Sequence, residues 1–190
     1  MEIKYKIQFH TDWHCGSGLA AGADVDALVV KDKDGLPYIP GKTMKGLIRE
    51  AVENIRNFSK NGEIKDFVEA FGYFDDKSKK EKGFLFFTNA ELDEKERNAI
   101  VSNKVVRFMY RTIASTAIDE NGVAEEHSLR KMEVVVPCDL YGEILGVPEN
   151  MVEEIKKSLS YIKRLGQNRN RGLGRCTISV ESVDKEGGEK

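Results

Sequence analysis

The chain has 190 residues, 40% of them hydrophobic and 33% charged, which fits one domain with its own core and excludes wholesale disorder. No apolar run nears the roughly 20 residues of a membrane-spanning helix, and Met1-Glu2-Ile3-Lys4 begins no secretory signal. The expected compartment is on that ground the cytoplasm, and Cys15, Cys138 and Cys176 form no CxxC pair, which argues against a disulfide framework or zinc knuckle.

Ile3, Tyr5, Ile7 and Phe9 alternate with polar neighbours and predict a half-buried strand. A long connection, Thr11 to Gly41, follows; it is rich in Gly and Ala, with a short strand expected at Val25–Lys31. Met44, Leu47, Ile48, Ala51, Val52 and Ile55 form one apolar helical stripe that opens after Pro40-Gly41. A short helix over Glu63–Phe71, a mobile Lys/Asp-rich loop over Asp75–Gly83 and a buried strand at Phe84–Phe87 come next. Val105–Ile118 runs into Asn121-Gly122, a hairpin-turn signal, with a return strand through His127–Val136. From Arg111 to Ile118 such an arm would reach about 26 Å, at about 3.3 Å per residue. Val152, Ile155, Leu159 and Ile162 mark a second amphipathic helix, with Gly166 placed as its C-cap. The last strand lies near Arg175–Val183, and the charged tail Asp184–Lys190 is expected to be disordered. The order strand, helix, strand, strand, helix, strand is the split βαβ, or ferredoxin-like, order of an α+β domain, which RNA-recognition modules share.

A net charge of −2 conceals segregation: Lys42–Arg49, Val101–Ser115 and Tyr161–Arg175 hold eleven of the 30 basic residues and no acid, leaving 19 against 32 acidic residues elsewhere. That distribution suits a specific polyanion site. Gly35-Leu36-Pro37-Tyr38-Ile39-Pro40-Gly41-Lys42-Thr43 is not a P-loop, because five residues separate its glycines and two prolines lack amide donors. What it offers is a glycine turn opening a helix, with Lys42 and Lys45 placed to favour a phosphate, and Arg49 further along. Gly166 to Arg175 holds three glycines, three arginines and no acid. Its backbone can approach another chain closely, Arg169, Arg171 and Arg175 can fork onto phosphates, and Asn168 and Asn170 can reach sugars or bases. Arg107, Phe108, Tyr110 and Arg111 interleave cations with rings suited to stacking. Asp24 and Asp26 offer carboxylates that could orient a 2′-hydroxyl or hold a divalent metal, or could simply cap turns. His10, His14 and His127 show no metal spacing; His14, in the glycine-rich loop, is the one candidate among them.

These motifs, in this order, resemble the RAMP superfamily of CRISPR-associated proteins, and most closely the small backbone subunits of type III effector complexes. The resemblance rests on Trp13-His14-Cys15-Gly16-Ser17-Gly18, on Val25-Asp26 followed by Val29-Val30-Lys31-Asp32, and on Gly35 through Arg49. Phe71-Gly72 and Gly172-Leu173-Gly174-Arg175 also fit. It implies a modified RNA-recognition fold with a β-hairpin thumb, here about residues 105–135, and long inserted loops. It also implies stacking of copies along guide RNA beside other effector subunits. In catalytic members a loop aspartate, matched by Asp26, cuts paired single-stranded target RNA with a divalent metal, Mg2+ or Mn2+. The chain departs from the common pattern at Lys42-Thr43, where two serines are usual. Three readings stay open beside it: a structural RNA-binding subunit that does not cut, a metal-independent guide-processing endonuclease using His14 as base, and a small-molecule enzyme on the same fold.

Overall fold

The computed structural model describes residues 1–21, 24–59, 69–75 and 78–185. In chain order the elements are β1 (Glu2–Phe9), α1 (Gly41–Ser59), β2 (Gly72–Asp75), β3 (Ser78–Lys82), β4 (Phe86–Phe87), α2 (Glu94–Ser102), β5 (Tyr110–Ser115), β6 (Arg130–Val135), β7 (Asp139–Leu145), α3 (Val152–Tyr161) and β8 (Cys176–Asp184). Single 3-10 turns occupy Val106–Met109 and Glu149–Met151.

Period-two patterning sets the centre of the molecule. Ile3, Tyr5, Ile7 and Phe9 are buried, so β1 turns this row inward and its polar row outward. β1 pairs antiparallel with β7 on one side and β8 on the other, and β4 adds to β7, giving the order β4-β7-β1-β8. Met44, Ile48, Ala51 and Val52 of α1 and Val152, Ile155 and Leu159 of α3 are buried in the same core. α1 packs on α3 and β4, and α3 on β8. Arg56 and Glu154 tie the two helices with paired hydrogen bonds, Nη2 to Oε2 at 2.7 Å. The result is a mixed α/β architecture with antiparallel sheets.

Several expectations change. β7 falls where the sequence reading places no strand. Its alternation is broken by Gly142, which sits opposite Tyr5; a Cβ there would lie 2.5 Å from the Tyr5 Oη, so the glycine makes room for a buried ring. Asp75–Gly83, expected as a mobile loop, contains most of the β2–β3 hairpin, which main-chain pairing builds without apolar alternation. The expected strand at Val25–Lys31 is instead a run of isolated bridges, Gly16 with Val29, Ala27 with Met132 and Lys31 with Pro37. α2 is an unforeseen surface helix, capped by the Asp93 side chain accepting from the Lys95 amide. α3 ends at Tyr161 with Ile162 as its cap, so Gly166 serves another purpose. The arm's first strand begins at Tyr110, after a 3-10 turn. Asp184 belongs to β8, and the rest of the expected tail after Lys185, like most of the expected helix at Glu63–Phe71, lies outside the described residues.

Candidate nucleic-acid interface

The start of α1 is fixed by close packing. The Pro40 carbonyl accepts from the Thr43 and Met44 amides, at 2.8 and 3.2 Å, so the helix is entered at once. A Cβ at Gly41 would lie 2.1 Å from the Phe87 carbonyl oxygen, so only glycine lets this turn press on β4. Thr43 and Lys42 thereby flank Cys15. Burial pushes that thiol's pKa up, while Thr43 and the Lys42 charge pull it back. Lys42 is exposed and Lys45 half-buried, and neither has a carboxylate partner among the described residues. Arg49 bonds Glu53 one turn on, at 3.0 Å.

The Gly166–Arg175 loop is laced onto residues 10–14. The Gln167 amide donates to the His14 carbonyl (2.9 Å), the Gly174 amide to the Asp12 carbonyl (2.7 Å), and the His10 amide to the Arg175 carbonyl (2.8 Å). The Arg175 amide donates to the Thr11 Oγ1 at 3.0 Å. Gly166 and Gly174 carry φ of +95° and +67°, and a Cβ at Gly174 would lie 1.8 Å from the Leu165 carbonyl oxygen. Both glycines are therefore required by left-handed backbone and by contact. The loop's outer residues reach two neighbours. The Asn168 amide approaches the Met132 Sδ on β6 at 3.8 Å, and the Arg169 guanidinium lies 3.9 Å from Glu50 on α1. Arg171 and Arg175 are exposed, with no ion pair among the described residues.

His14 is the point where these segments meet. Its ring is fully buried, and Nδ1 lies 2.6 Å from the Glu133 carbonyl oxygen on β6. Because that partner only accepts, Nδ1 carries the proton, and Nε2 is left buried without a partner. Gly16 and Gln167 close over it. The Glu133 carboxylate then takes the Val29 amide at 3.1 Å and the Lys31 ammonium at 2.8 Å, drawing the 24–31 segment against β6. Within that segment Asp26 is exposed. Its amide donates to the Lys131 carbonyl (2.9 Å) and its Oδ2 accepts from the Lys131 amide (2.7 Å), which leaves Oδ1 toward solvent. Asp24 is exposed as well, in the turn closed by Ala21 and Val25.

Arg111 is not an unattached cation. Its Nε and Nη2 both bind Oδ2 of Asp12, which is only 6% exposed, while the Arg111 side chain stays 62% exposed. Tyr110 is structural: its hydroxyl donates to the Gly35 carbonyl at 2.5 Å, and Lys31 stands over its ring at 4.0 Å. Phe108 is exposed, beneath the Arg107 guanidinium at 4.7 Å. Beyond Ser115 the arm exposes Ile118, Val123 and Leu129.

The hydrogen bonds thus gather the glycine loop, the Asp26 segment and the root of the arm around residues 10–16, and Cys15 borders Thr43 and Lys42 at the start of α1. Arg49 stands apart, two turns into α1. The sequence reading missed Asp12 and Glu133. Asp12 was visible as a carboxylate beside a tryptophan, but nothing local singles out Glu133, whose partners lie more than 100 residues away. Among the described residues no three His, Cys, Asp or Glu side chains form a group able to hold a metal. The one free oxygen of Asp26 fits a hard cation that also takes phosphate oxygens and water, the usual Mg2+ mode, and not an all-protein cage.

Residues 6–177 match the family model of the RAMP superfamily. No curated protein is significantly similar to the chain in sequence. Among solved structures, it superposes on a chain of the type III-B Cmr-β complex bound to cognate target RNA, with a TM-score of 0.72 at 12% identity, covering 95% of this chain and 97% of that one. A chain of the apo Cmr-β complex gives a TM-score of 0.69 at 13% identity, with the same coverage. At such identities the likeness is one of fold.

Proposed function

The chain belongs to the RAMP superfamily, and on that premise we propose that it is a backbone subunit of a type III CRISPR effector complex. It holds guide RNA through phosphates and shape and leaves sequence reading to guide–target pairing. The observation that carries this reading is the convergence on residues 10–16. One buried histidine and one glycine loop draw together Asp26, Asn168, Arg171 and Arg175 from segments far apart in sequence, and Lys42 stands beside the adjoining Cys15. The strand order β4-β7-β1-β8, with α1 and α3 in the crossovers, supports a ferredoxin-like, modified RNA-recognition fold. In that reading the β5–β6 arm is the thumb, and its exposed Ile118, Val123 and Leu129 meet stacked bases or a neighbouring subunit. The fold likeness to Cmr-β chains supports target RNA and other effector subunits as partners, and the reading adds copies of this chain stacked along the guide.

The same reading assigns target-strand cleavage to Asp26. The attacking group is the RNA's own 2′-hydroxyl, and the products end in a 2′,3′-cyclic phosphate and a 5′-hydroxyl. A divalent cation at the free Asp26 oxygen would supply charge neutralisation at the phosphate when bound. The chain's own contribution is orientation. The Lys131 amide fixes one carboxylate oxygen, so the other is presented at the root of the arm. The burial of His14, with Nδ1 committed to Glu133, weighs against the guide-processing alternative, in which that ring would act as a base on exposed RNA.

The anchoring of Asp26 to Lys131 equally supports a structural, non-cutting subunit, and Asp26→Ala separates the two. In a reconstituted complex with guide and labelled target, the catalytic reading expects cleavage to fall at least about 100-fold with RNA affinity kept within about twofold. Unchanged cleavage removes Asp26 from the chemistry.

A further inference from the structure

The outward face of the sheet is largely neutralised by its own side chains. Lys4 pairs with Glu2 and Glu143, and Lys6 with Asp139. One end differs. Where β1 runs out and β8 begins, His10, Lys163, Arg164, Arg175 and Thr177 line a cleft of about 420 Å³ that contains no carboxylate. Among the described residues none of its three cationic side chains has an ion-pair partner. Such a concentration of like charge is self-repelling, and it persists where an anion offsets it.

The backbone beneath the cleft is held from several sides. Arg164 and Arg175 form an antiparallel bridge, the Cys176 amide donates to the Lys163 carbonyl at 2.9 Å, and Arg175 is fastened to His10 and Thr11 through its carbonyl and amide. The His10 Nε2 and Thr177 Oγ1, 2.8 Å apart, add a polar floor. Lys163 and Arg164 also border a second cleft, toward α1, but that one includes Glu50, which already faces Arg169. A neighbouring cleft that shares His10 holds Glu96 and Asp139. The carboxylate-free cleft is therefore the one suited to an anion.

We propose that the His10–Lys163–Arg164–Arg175 cleft, at the base of the glycine loop and separate from the Asp26 segment, is a phosphate-binding pocket for an RNA strand. This rests on the RNA-binding reading, and it adds His10, Lys163, Arg164 and Thr177 to the phosphate contact that Arg175 of the glycine loop already offers. Lys163 and Arg164 supply charge, Arg175 supplies a fork, and Thr177 supplies a hydroxyl. A bound strand passes beneath the base of the glycine loop at Arg175, as well as across its tip at Asn168.

The test measures salt-dependent binding of labelled single-stranded RNA to the full-length chain by fluorescence polarisation. It compares the wild type, Lys163→Gln/Arg164→Gln, and a charge-matched control, Lys95→Gln/Lys157→Gln. For single strands each phosphate contact contributes about 0.7 to the slope of log affinity against log salt, so the pocket variant is expected to lose about 0.7–1.4 of slope and roughly fivefold or more in affinity. The control is expected to lose neither, with melting temperatures of all three within about 3 °C, since exposed substitutions seldom exceed about 0.5 kcal/mol. Equal loss in pocket and control variants, or an unchanged slope in the pocket variant beside a salt-dependent wild type, overturns the pocket and leaves RNA binding standing. A wild type without salt-dependent binding overturns the RNA reading itself. Running each arm with 5′-hydroxyl and 5′-phosphate strands assigns the occupant: a loss common to both marks an internal phosphodiester, and a loss confined to the phosphorylated strand marks a terminal phosphate.

Discussion

A carboxylate beside an exposed cation can act in two opposite ways on the binding of a phosphate. Asp12 is nearly buried, binds Arg111 through Oδ2, and has an Oδ1 with no partner. If it matters only as charge, it repels phosphate, and Asp12→Asn should tighten RNA binding. If it positions the Arg111 fork at the root of the arm, the same change should weaken binding, because a long flexible side chain regains rotamer freedom that binding must remove again. The geometry favours positioning: two guanidinium nitrogens share one carboxylate oxygen, while most of the side chain stays open to an incoming phosphate. We expect Asp12→Asn to lower RNA affinity about three- to tenfold and to cost about 1–2 kcal/mol of stability, well below the loss from breaking a fully buried pair, because Arg111 is solvated. Polarisation titrations and thermal melts check both, and tighter binding would dismiss the positioning role.

Between elements, the contacts are clamps made by single side chains. Asp32 is the clearest. Its Oδ1 accepts from the Asp34 and Leu36 amides at 2.8 and 2.9 Å, and its Oδ2 meets Arg97 on α2. Burial opposes ionisation of Asp32, but the Leu36 amide, Arg97 and the Asp34 amide outweigh it and hold the carboxyl below its usual range. A carboxyl depressed in the folded state adds stability that is in full effect above its unfolded pKa of about 3.9 and is lost as pH falls toward the folded value. Asp32→Asn should therefore cost about 1–2 kcal/mol at neutral pH, and the gap to the wild type should narrow steadily as pH falls below the unfolded pKa of about 3.9. Denaturant melts across pH 2.5–7 test this, and a constant gap would place the effect in packing. Such clamps also set what could be read in advance. The α1 stripe, the β1 alternation and the glycine loop were legible because periodicity and composition are local. The β7 strand was not, because Gly142 is there for Tyr5 on another strand. Nor was the His14–Glu133 junction, which exists only after residues 119 positions apart are brought together.

At the scale of the molecule, the body and the arm draw on different sources of order. The body closes around β1 and two helices. The arm joins that core at its root, through Met109 and Val135. Beyond the paired residues Ser115 and Arg130 the arm is ordered by its own turns. The Asp119 side chain accepts from the Asn121 and Val123 amides, Gly122 takes a φ of +80°, and Ile118 bridges Ala124. Ser115 and Arg130 face each other in register, so an Asn-Gly pair in a type I′ turn can replace residues 116–129 without disturbing β5 or β6. Because the removed segment buries little, the shortened chain should melt within about 2–4 °C of the wild type, the shift that about 1 kcal/mol makes in a domain this size. It should keep salt-dependent RNA binding by the body, since the glycine loop, the start of α1 and Asp26 all attach to residues 10–16 or to the retained β6. What it should lose is any activity that needs an arm reaching past the body, read as failure to co-assemble with wild-type chains on a long guide RNA in size-exclusion chromatography. A shortened chain that unfolds would show that the arm belongs to the body's core. One that assembles normally would deny the arm a role in holding neighbouring copies along the strand.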